Sequence, residues 1–397
     1  MRTIAVVGGG PAGSMTSTRL LQGAATQNGS DAVRVVIFEE KLGWEKPCGG
    51  GLSHKALRLY PFLREATDLA NPVWKMEVHA PGGATASINL REPLAIYSRR
   101  ELNELLLERS RHAGAELVND RVISAEKLGD KWRLRGRSNS YDADYLVVAA
   151  GARSGLRNQL AGALKAKDFM LTFGYFVPGH EDLLRVEFFA NFEGYAWSFP
   201  RSNHLSVGIC GKVGDASMSE LRRNLLGFMQ RHGYSTESAP VFSHLLPSLE
   251  VESWAGMRLE GDGWALAGDA AGLTDPVTGE GLYFALRSGE LLADAIVKGF
   301  SYARKVWDEF GSKLMLGARI CPRFYHGEFL GASLTTRMVQ LCGRSKTFLN
   351  LFQDMVEGSQ AYRGLPGRLF RNLPKYLVET ATHSVWKRMG IQSAEQA

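Results

Sequence analysis

A lone thiol stands beside three consecutive glycines in the segment KPCGGGLSH, residues 46–54. Each glycine costs backbone entropy on folding, so such a run is expected where another group must approach the main chain closely. Cys48 has two interpretations: a small buried apolar side chain, or a group that donates a proton or shapes a reaction site. His54 and Lys55 follow at the predicted start of a helix, where we expect phosphate or surface contacts.

A second glycine-rich segment lies near the N-terminus and has the spacing of a nucleotide-binding turn. The apolar run at residues 3–7 predicts a buried parallel strand, and the GGGPAG that follows satisfies G-x-G-x-x-G. Residues 14–22 predict a helix, and residues 33–40 predict a second strand that ends in Glu39 and Glu40. This order is typical of a dinucleotide-binding fold, in which Glu39 is expected to accept hydrogen bonds from ribose hydroxyls.

The residue types of this motif have physical reasons. Gly8 allows the tight turn, Gly10 lets the main chain approach a pyrophosphate, and Gly13 lets the helix pack closely on the strand. Pro11 and Ala12 stand where the helix starts. The amide groups and the positive dipole end there are expected to hold the phosphates.

Two further segments combine a short apolar strand with a glycine turn. The sequence WALAGDAAG predicts a strand that runs into Gly268 and Asp269, and a long helix is predicted from about Gly281. An aspartate at a strand end that faces a helix N-terminus suits the binding of a polyol chain. Residues 143–157 predict another strand, which ends at Gly151.

These segments resemble the FAD-binding signatures of the flavoprotein superfamily that contains para-hydroxybenzoate hydroxylase. The resemblance implies that Gly268 and Asp269 bind the ribityl chain and pyrophosphate of FAD. It also implies that the stretch from Pro276 to Gly281 lies against the flavin ring, and that Arg99, at the start of a helix, contacts FAD.

The glycine run and one aromatic strand resemble the geranylgeranyl reductases, which reduce isolated carbon–carbon double bonds in isoprenoid chains. The segment at Cys48 matches that family's Cys-Gly-Gly-Gly loop, and residues 195–200, YAWSFP, match its Y-x-W-x-F-P strand. The family pattern places glycine where Cys210 stands, with Gly211 one position on, and this departure predicts a small bulge. The resemblance extends from the first strand to about Arg371.

The motifs and the two resemblances together define the predicted site residues. The predicted cofactor-binding positions are Gly8, Gly10, Pro11, Ala12, Gly13, Glu39, Glu40, Cys48, Gly49, Gly50, Arg99, Val122, Gly151, Gly268, Asp269, Pro276, Gly279, Gly281 and Leu282. The predicted substrate-binding positions are Gly51, Tyr195, Trp197 and Phe199, and the predicted catalytic residues are Cys48, Tyr195 and Trp197. No metal site and no disulfide scaffold are expected, because Cys48, Cys210, Cys321 and Cys342 lie far apart without a C-x-x-C pair.

The aromatic strand suggests how the chain would act on an alkene. Tyr195, Trp197 and Phe199 alternate, so that on a strand they point to one face, where they line an apolar pocket or form an ordinary sheet core. Reduction of an unactivated double bond needs a hydride from reduced flavin and a proton on the neighbouring carbon. Aromatic faces favour cationic character in the transition state, which gives Tyr195 and Trp197 a catalytic use. Close packing at the glycine run would exclude water.

We predict an α/β fold (α+β overall) with a Rossmann-like FAD-binding domain, an inserted antiparallel-sheet substrate domain and a helical C-terminal region. The FAD-binding domain is expected to be discontinuous. Its predicted segments are residues 1–75, 96–165 and 255–300, the sheet domain takes residues 76–95 and 166–254, and the helical region is residues 301–397.

Positive charge is concentrated in the last quarter of the chain. Residues 301–397 hold 14 Lys and Arg against 7 Asp and Glu, a balance of +7, so the remaining residues balance at −1 within the total of +6. Such a region suits an anionic surface or is an ordinary solvated helix face. Nucleic acid is not the expected partner, because no nucleic-acid-binding motif accompanies the basic residues. The basic helices also carry Leu, Phe and Trp, which suits peripheral contact with a membrane or a cap over the substrate channel.

The predicted function is FAD-dependent reduction of isolated double bonds in a hydrophobic isoprenoid or lipid substrate. NAD(P)H or a reduced ferredoxin is the expected electron donor. No second G-x-G-x-x-G stands between a strand and a helix, so no separate NAD(P)-binding domain is visible, which also resembles the flavoprotein superfamily. The alternative is a flavin-dependent monooxygenase or halogenase, because halogenases have a W-x-W-x-I-P strand similar to residues 195–200. The third hypothesis is that the chain is an FAD-binding protein without catalytic activity. A cytoplasmic location is expected, since neither a secretory signal nor a run of the roughly 18 apolar residues that span a membrane is visible.

Overall fold

A computed structural model describes residues 1–26, 33–190 and 192–388 of the 397-residue chain. The strands, numbered in chain order, are β1 Arg2–Val7, β2 Val33–Phe38, β3 Gly51–Leu52, β4 Ala70–Ala80, β5 Ala84–Tyr97, β6 Glu116–Val118, β7 Val122–Leu128, β8 Lys131–Gly136, β9 Ser140–Ala143, β10 Tyr145–Val148, β11 Phe169–Pro178, β12 Leu183–Phe188, β13 Gly194–Pro200, β14 His204–Lys212, β15 Val241–Pro247, β16 Glu260–Gly261, β17 Trp264–Leu266, β18 Glu328–Phe329 and β19 Ala332–Ser333.

The helices separate the strands and dominate the last part of the chain. In chain order they are α1 Pro11–Thr26, α2 His54–Leu59, α3 Pro61–Glu65, α4 Arg99–His112, α5 Gly155–Ala161, α6 Met218–Arg231, α7 Val251–Ala255, α8 Leu282–Lys298, α9 Tyr302–Val306, α10 Ser312–His326, α11 Leu334–Cys342, α12 Lys346–Val356 and α13 Leu365–Arg388. A π-helical turn, Trp307–Gly311, joins α9 to α10.

The first sheet has six strands in the order β16-β17-β10-β1-β2-β6. Its pairs are parallel except for β16 with β17. The central strands are buried apolar runs, and they share one core with helices α1, α4 and α8 and with a three-stranded sheet, β7-β8-β9. The glycine turns after β1, β10 and β17 therefore meet at the carboxyl edge, where open sheets of this class bind ligands.

The second sheet has eight strands in the order β15-β11-β14-β13-β12-β4-β5-β3. It is antiparallel except that β12 runs parallel to β4, which makes it a mixed sheet where an antiparallel one was predicted. The chain passes through the six-stranded sheet between β5 and β11, and such a long crossover is what a parallel pair requires. The bulge predicted at Cys210 is wrong, because β13 and β14 pair without a break from Gly194 opposite Gly211 to Pro200 opposite Leu205.

The predicted α/β fold with a Rossmann-like sheet, a second sheet and a helical C-terminal region is confirmed. The sheets do not divide at the predicted residue numbers. Strand β4 begins at Ala70, β5 ends at Tyr97, and β3 pairs with β5. The second sheet therefore includes residues from the predicted FAD-binding segments 1–75 and 96–165. Part of the predicted C-terminal region, residues 389–397, lies outside the described residues.

Small residues hold the carboxyl edge of the first sheet against helix α8. A Cβ added at Gly289 of α8 would lie 2.4 Å from the carbonyl oxygen of Ala12 in α1. The Ser288 hydroxyl accepts a hydrogen bond from the Gly268 amide at 3.0 Å and donates one to the Ala285 carbonyl at 3.0 Å. The close approach of α1 and α8 therefore fixes the turn after β17 relative to the turn after β1.

Helices α11, α12 and α13 cover one face of the second sheet. The apolar side chains that β4 and β5 present there, such as Val78 and Ile88, share a core with Val339, Phe348 and Tyr376 of these helices. Within the described ranges, no helix combines the length and the apolar character needed to cross a lipid bilayer.

The contact between α1 and α8 leads to a stability prediction. Substitution of Gly289 by Ala places a methyl group against the α1 backbone, and overpacking of this kind costs roughly 1–3 kcal/mol. The matched control is Gly227→Ala in α6, where only the flexible Arg231 side chain lies within 4 Å. The control should gain roughly 0.4–1 kcal/mol because alanine favours the helix. Urea denaturation followed by circular dichroism measures both, and equal midpoints would contradict the packing argument.

Candidate functional site

One cavity of about 1960 Å³ is lined by both large sheets and by the C-terminal helices. We divide it into three parts. The nucleotide end is bordered by Gly8, Gly10, Glu39, Arg99, Gly151 and Asp269. The central section is bordered by Cys48, Gly49, Gly50, Gly51, Tyr195, Trp197, Phe199 and Glu280. The apolar end is bordered by Met76, Val78, Phe324, Met338, Leu341, Phe348, Phe352, Leu369, Phe370 and Leu373.

The acids after β2 stand at the rim of the nucleotide end. The Gly9 amide donates to Oε2 of Glu39 at 2.8 Å, and the Lys41 amide donates to Oε1 at 2.8 Å, so the backbone orients this carboxylate. Glu40 instead forms ion pairs with Arg121 at 3.5 Å and with Arg137 at 3.0 Å. Glu39 is therefore the carboxylate placed beside the glycine turn, as a ribose-binding acid would be.

Arg99 tests whether a dinucleotide fits this end of the cavity. The side chain is buried in the cavity wall, and its Nε has no hydrogen-bond partner among the described residues. A buried donor without a partner is costly, so this position suits a polar ligand group. A Cβ added at Gly10 or Gly151 would meet nothing within 4 Å, which leaves open space along the turns. The residues present therefore fit a bound dinucleotide, and the adjacent Arg100 is exposed.

Asp269, after β17, is held by a lysine from the glycine-run loop. Lys46 Nζ lies 2.9 Å from Asp269 Oδ2. Although burial opposes the charged carboxylate, the Lys46 ammonium keeps the pKa of Asp269 below its usual range. Burial, with the nearby Lys46 charge, lowers the pKa of His244 to about 4, so that this cavity-lining imidazole is neutral at pH 7.

The glycine run is required by the protein's own packing. A Cβ at Gly49 would lie 2.2 Å from the Phe199 ring, and one at Gly50 would lie 2.1 Å from the Tyr97 carbonyl oxygen. Gly50 also has a φ of +85°, which side chains other than glycine rarely adopt. The groups that approach the main chain are thus Phe199 of the aromatic strand and the end of β5, which press the loop into the central section.

A buried arginine fastens the same loop. Arg201, immediately after β13, is fully buried, and its guanidinium donates to the Glu45 carboxylate and to the Cys48 carbonyl. The Ser206 hydroxyl donates to the Cys48 carbonyl as well, at 2.9 Å. Glu45 in turn accepts from the Ser98 hydroxyl at 2.6 Å and from the Arg99 amide at 2.7 Å, which ties the loop to the first turn of α4.

Cys48 has an electrostatic setting unlike that of the other cysteines. Burial disfavours its thiolate, yet the charges of Arg99 and Arg201, and the Gly50 amide, which donates to Sγ at 3.3 Å, lower the pKa of the Cys48 thiol. Burial raises the pKa of Cys210 and of Cys342, in each case to about 12. Burial also raises the pKa of Cys321. Cys48 is therefore the most readily ionised of the four.

The aromatic strand β13 lines the central section as one face. Tyr195, Trp197 and Phe199 all border the cavity, and the Tyr195 and Trp197 ring centroids lie 6.0 Å apart. The Tyr195 hydroxyl donates to the Thr278 carbonyl at 2.5 Å, which ties the strand to the segment before α8. A Cβ at Gly208 would lie 2.5 Å from the Trp197 ring, so glycine there makes room for the indole.

Two acids in the segment before α8 were not predicted as site residues. Asp275 accepts hydrogen bonds from the Val277 and Thr278 amides, at 2.9 and 3.0 Å, and shapes this turn. Glu280 borders the cavity and accepts from the Ser53 hydroxyl at 3.3 Å. Burial, with the neighbouring Asp275 carboxylate, raises the pKa of Glu280 to about 7, although Lys55 acts in the opposite direction. Glu280 can therefore give up a proton near neutral pH.

The apolar end extends from the central section to the surface beneath the C-terminal helices. Its walls are side chains of β4, α10, α11, α12 and α13, nearly all of them Leu, Met, Phe or Val. Such a lining binds hydrocarbon and excludes water. The cavity as a whole joins a polar, glycine-lined end to a long hydrophobic end, with Cys48, Tyr195, Trp197 and Glu280 between them.

The cavity brings together nearly all of the predicted site residues. The members of the set that border it are Gly8, Gly10, Pro11, Ala12, Glu39, Glu40, Cys48, Gly49, Gly50, Gly51, Arg99, Val122, Gly151, Tyr195, Trp197, Phe199, Gly268, Asp269, Gly279, Gly281 and Leu282. Gly13 and Pro276 do not border it. A Cβ at Gly13 would lie 1.9 Å from the Gly8 carbonyl, and Pro276 packs against Gly317 of α10 and accepts from the Cys321 thiol.

The cavity also contains Lys46, His244 and Glu280, which were not among the predicted site residues, although Lys46 and Glu280 lie within motif-bearing segments of the sequence. Glu45 and Arg201 support this part of the cavity. Two weak signals are present in the sequence: a charged pair, Glu45 and Lys46, separated by two residues from the glycine run, and an arginine directly after the aromatic strand. Within the described ranges, no group of three or more His, Cys, Asp or Glu side chains is arranged to hold a metal ion.

Comparison with known proteins identifies relatives of this architecture. No family model matches the chain. The chloroplastic geranylgeranyl diphosphate reductase of Nicotiana tabacum is 26% identical in an alignment of 343 residues, which covers 77% of this chain and 68% of that protein. The geranylgeranyl diphosphate reductase of Rhodobacter capsulatus is 27% identical in an alignment of 315 residues, which covers 73% of each chain.

Solved structures show that the fold is shared. A geranylgeranyl bacteriochlorophyll reductase-like protein of Thermoplasma acidophilum aligns over 94% of this chain and 99% of its own, with a TM-score of 0.73 and 20% identity. A flavin-dependent brominase aligns over 90% of this chain and 93% of its own, with a TM-score of 0.70 and 15% identity. The relatives and this fold confirm the predicted resemblance to the geranylgeranyl reductases and the expectation of an FAD-dependent oxidoreductase.

The charges around Cys48 lead to a prediction about its reactivity. At pH 7 to 8, iodoacetamide should modify Cys48 before Cys210, Cys321 or Cys342, because only the thiolate reacts and the pKa of Cys48 is the one that is lowered. Peptide mass spectrometry measures the extent of modification at each position as a function of pH. The midpoint for Cys48 should fall below the ordinary value of about 8.5.

Arg99→Met removes one of the charges while sparing the Arg201 clamp, so in that variant the midpoint for Cys48 should move upward. Alkylation in denaturant controls for detection of all four peptides. A midpoint for native Cys48 at or above the ordinary value would contradict the electrostatic argument.

Proposed function

We propose that this chain, an FAD-dependent oxidoreductase related to the geranylgeranyl reductases, reduces isolated carbon–carbon double bonds in a hydrophobic isoprenoid chain. Gly8, Gly10, the first turn of α1, Glu39, Arg99 and Asp269 are the residues that would hold FAD. When bound and reduced, FAD supplies the hydride. NAD(P)H or a reduced ferredoxin is the proposed source of electrons.

The observation that carries this proposal is the continuity of the cavity. The nucleotide end opens into the central section, and the central section opens into an apolar end walled by Leu, Met, Phe and Val side chains. A long hydrocarbon chain fits such a space, whereas a small aromatic substrate would leave most of the apolar end unfilled. The relatives named geranylgeranyl diphosphate reductase support the same class of substrate.

The central section has the groups that an alkene reduction needs from the protein. The Tyr195 and Trp197 rings lie at the point where the two ends of the cavity meet, and their faces favour the positive charge that develops on carbon during the reaction. Phe199, packed against Gly49, closes the loop over this section and excludes water from it. The cavity walls position a hydrocarbon chain along the rings.

Glu280 is the proposed proton donor to the carbon next to the one that receives the hydride. A pKa of about 7 keeps a large fraction of this carboxyl protonated at neutral pH, which suits a general acid. Cys48 is the competing donor, but the nearby cations favour its thiolate. We therefore assign Cys48 to shaping the site and tuning its charge, and Glu280 to proton delivery.

A flavin-dependent monooxygenase or halogenase is the second candidate, because the brominase shares the fold over most of its length. The two candidates differ in their need for oxygen. The purified protein is reduced with dithionite under anaerobic conditions and mixed with geranylgeranyl diphosphate or a geranylgeranylated lipid. We expect reoxidation of the flavin, seen in its absorbance, together with a lipid that gains the mass of one H₂ per reduced double bond. Flavin that stays reduced until oxygen is admitted, with product hydroxylation or halogenation, would favour the second candidate.

The role of Glu280 gives a pH prediction. A general acid must be protonated, so the single-turnover rate constant of substrate reduction should fall by about tenfold per pH unit as the pH rises beyond about 7. Glu280→Gln should lower the rate by roughly 10²- to 10⁴-fold and remove this pH dependence. Glu92→Gln, at a surface carboxylate paired with His54 at 3.4 Å, is the matched control and should behave as the wild type. A pH dependence that is lost in Cys48→Ser but kept in Glu280→Gln would assign the proton to Cys48 instead.

A further inference from the structure

The apolar end of the cavity reaches the surface between the β18–β19 turn and helix α13. Phe329, Phe370 and Leu373 border the cavity there, and their exposed fractions are 56%, 81% and 45%. Arg337 of α11 holds the turn, since its guanidinium donates to the Phe329 and Leu330 carbonyls. Aromatic and aliphatic side chains that are exposed at the mouth of an apolar cavity are expected to contact something apolar.

Helix α13 is apolar on two sides. Its inner side packs through Leu369 and Tyr376 on the core that α12 shares with the second sheet. Its outer side exposes Phe370, Leu373, Leu377 and Val378, at spacings that keep them on one helix face. We name this face, together with Phe329 and Leu330 of the turn, the mouth surface. A helix that is apolar on both sides is expected to be covered on both.

The charges beside the mouth surface are positive. Arg371 and Lys375 are exposed on α13 among the apolar residues. The acid of the same helix segment, Glu379, is engaged on the inner side, where it accepts from the Ser345 hydroxyl and from the Thr347 amide and hydroxyl. An outer face with large apolar side chains and basic neighbours matches the interface of a bilayer that contains anionic lipids.

We propose that the mouth surface docks on an anionic lipid bilayer, so that the cavity opens into the membrane and takes its isoprenoid lipid from there. The inference rests on the proposed function, since a hydrocarbon substrate that enters from the membrane need not cross water. The cavity mouth and the exposed apolar face coincide at Phe370 and Leu373, which a solvated helix face would not require. The positive charge beside them selects a bilayer over an uncharged apolar protein surface.

Flotation of the FAD-loaded full chain with vesicles tests the docking. Vesicles of phosphatidylcholine with phosphatidylglycerol should bind the protein, and vesicles of phosphatidylcholine alone should bind it about tenfold more weakly. Leu377→Ser with Val378→Ser should weaken binding to the anionic vesicles by about tenfold or more, because two large apolar side chains no longer insert. Neither residue borders the cavity, so reduction of detergent-dispersed substrate should be unchanged.

Two further double variants test the contribution of the basic residues and the specificity for the mouth surface. Arg371→Glu with Lys375→Glu should abolish the preference for anionic vesicles. Trp74→Ser with Val241→Ser, at exposed apolar residues away from the mouth, is the matched control and should bind as the wild type does. Thermal melting of each variant shows whether it is folded.

The outcomes separate this proposal from the proposed function. A chain that reduces dispersed substrate but fails to bind anionic vesicles would overturn the docking and leave the reductase function standing. A chain that binds vesicles through the mouth surface but reduces no isoprenoid would overturn the reductase function and leave the docking standing. Size-exclusion chromatography tests a third outcome. If the chain is a dimer, and Leu377→Ser with Val378→Ser dissociates it, then a second copy is the partner of the mouth surface and the proposal of bilayer docking is overturned.

Discussion

The site depends on one ion pair, between the buried Arg201 and the partly buried Glu45. Arg201 stands at the turn of the aromatic hairpin in the second sheet, and Glu45 stands in the loop that leaves the first sheet. Burying the guanidinium is costly, and removal of the Glu45 carboxylate would leave it as an unpaired buried charge, which typically costs about 3–5 kcal/mol. The pair is retained because it is surrounded by hydrogen bonds: Arg201 also donates to the Cys48 carbonyl, and Glu45 also accepts from Ser98 and from the Arg99 amide.

This pair explains why the cavity is continuous. It brings the glycine run against Phe199 and places the thiol of Cys48 between the cations of Arg99 and Arg201. The same loop carries Lys46 to Asp269, which belongs to the nucleotide end. The loop thus takes part in most of the polar contacts between the two sheets that are described above, whereas the Tyr195 hydroxyl contacts the segment before α8 directly. Gly49 and Gly50 are needed because a side chain at either position would overlap the Phe199 ring or the Tyr97 carbonyl. This requirement comes from the protein itself, in addition to any that a bound flavin would impose.

Local signals in the sequence were sufficient for the elements that carry motifs. The turn at Gly8, the strand that contains Tyr195 and the helix after Gly281 each depend on neighbours in the chain, so residue order predicts them. Glu280, Arg201 and Lys46 depend on partners far along the chain, such as Ser53, Glu45 and Asp269. Periodicity and motif spacing contain no information about such pairs. The parallel pairing of β12 with β4 and the extent of the second sheet along the chain could not be predicted for the same reason, since both depend on where the chain returns after a crossover.

The sequence left two readings of the basic C-terminal helices, a cap over the substrate channel or a surface that meets a membrane. The two are compatible, because they concern opposite faces of α13. Tyr376 packs inward with its ring centroid 5.4 Å from that of Phe348, and it closes the apolar end as a cap does. Phe370 and Leu377 point away from that core and stay exposed. A helix with a single apolar face would need only one partner, so the second apolar face of α13 requires an explanation outside the fold. A cavity that must admit hydrocarbon through the same opening provides that explanation.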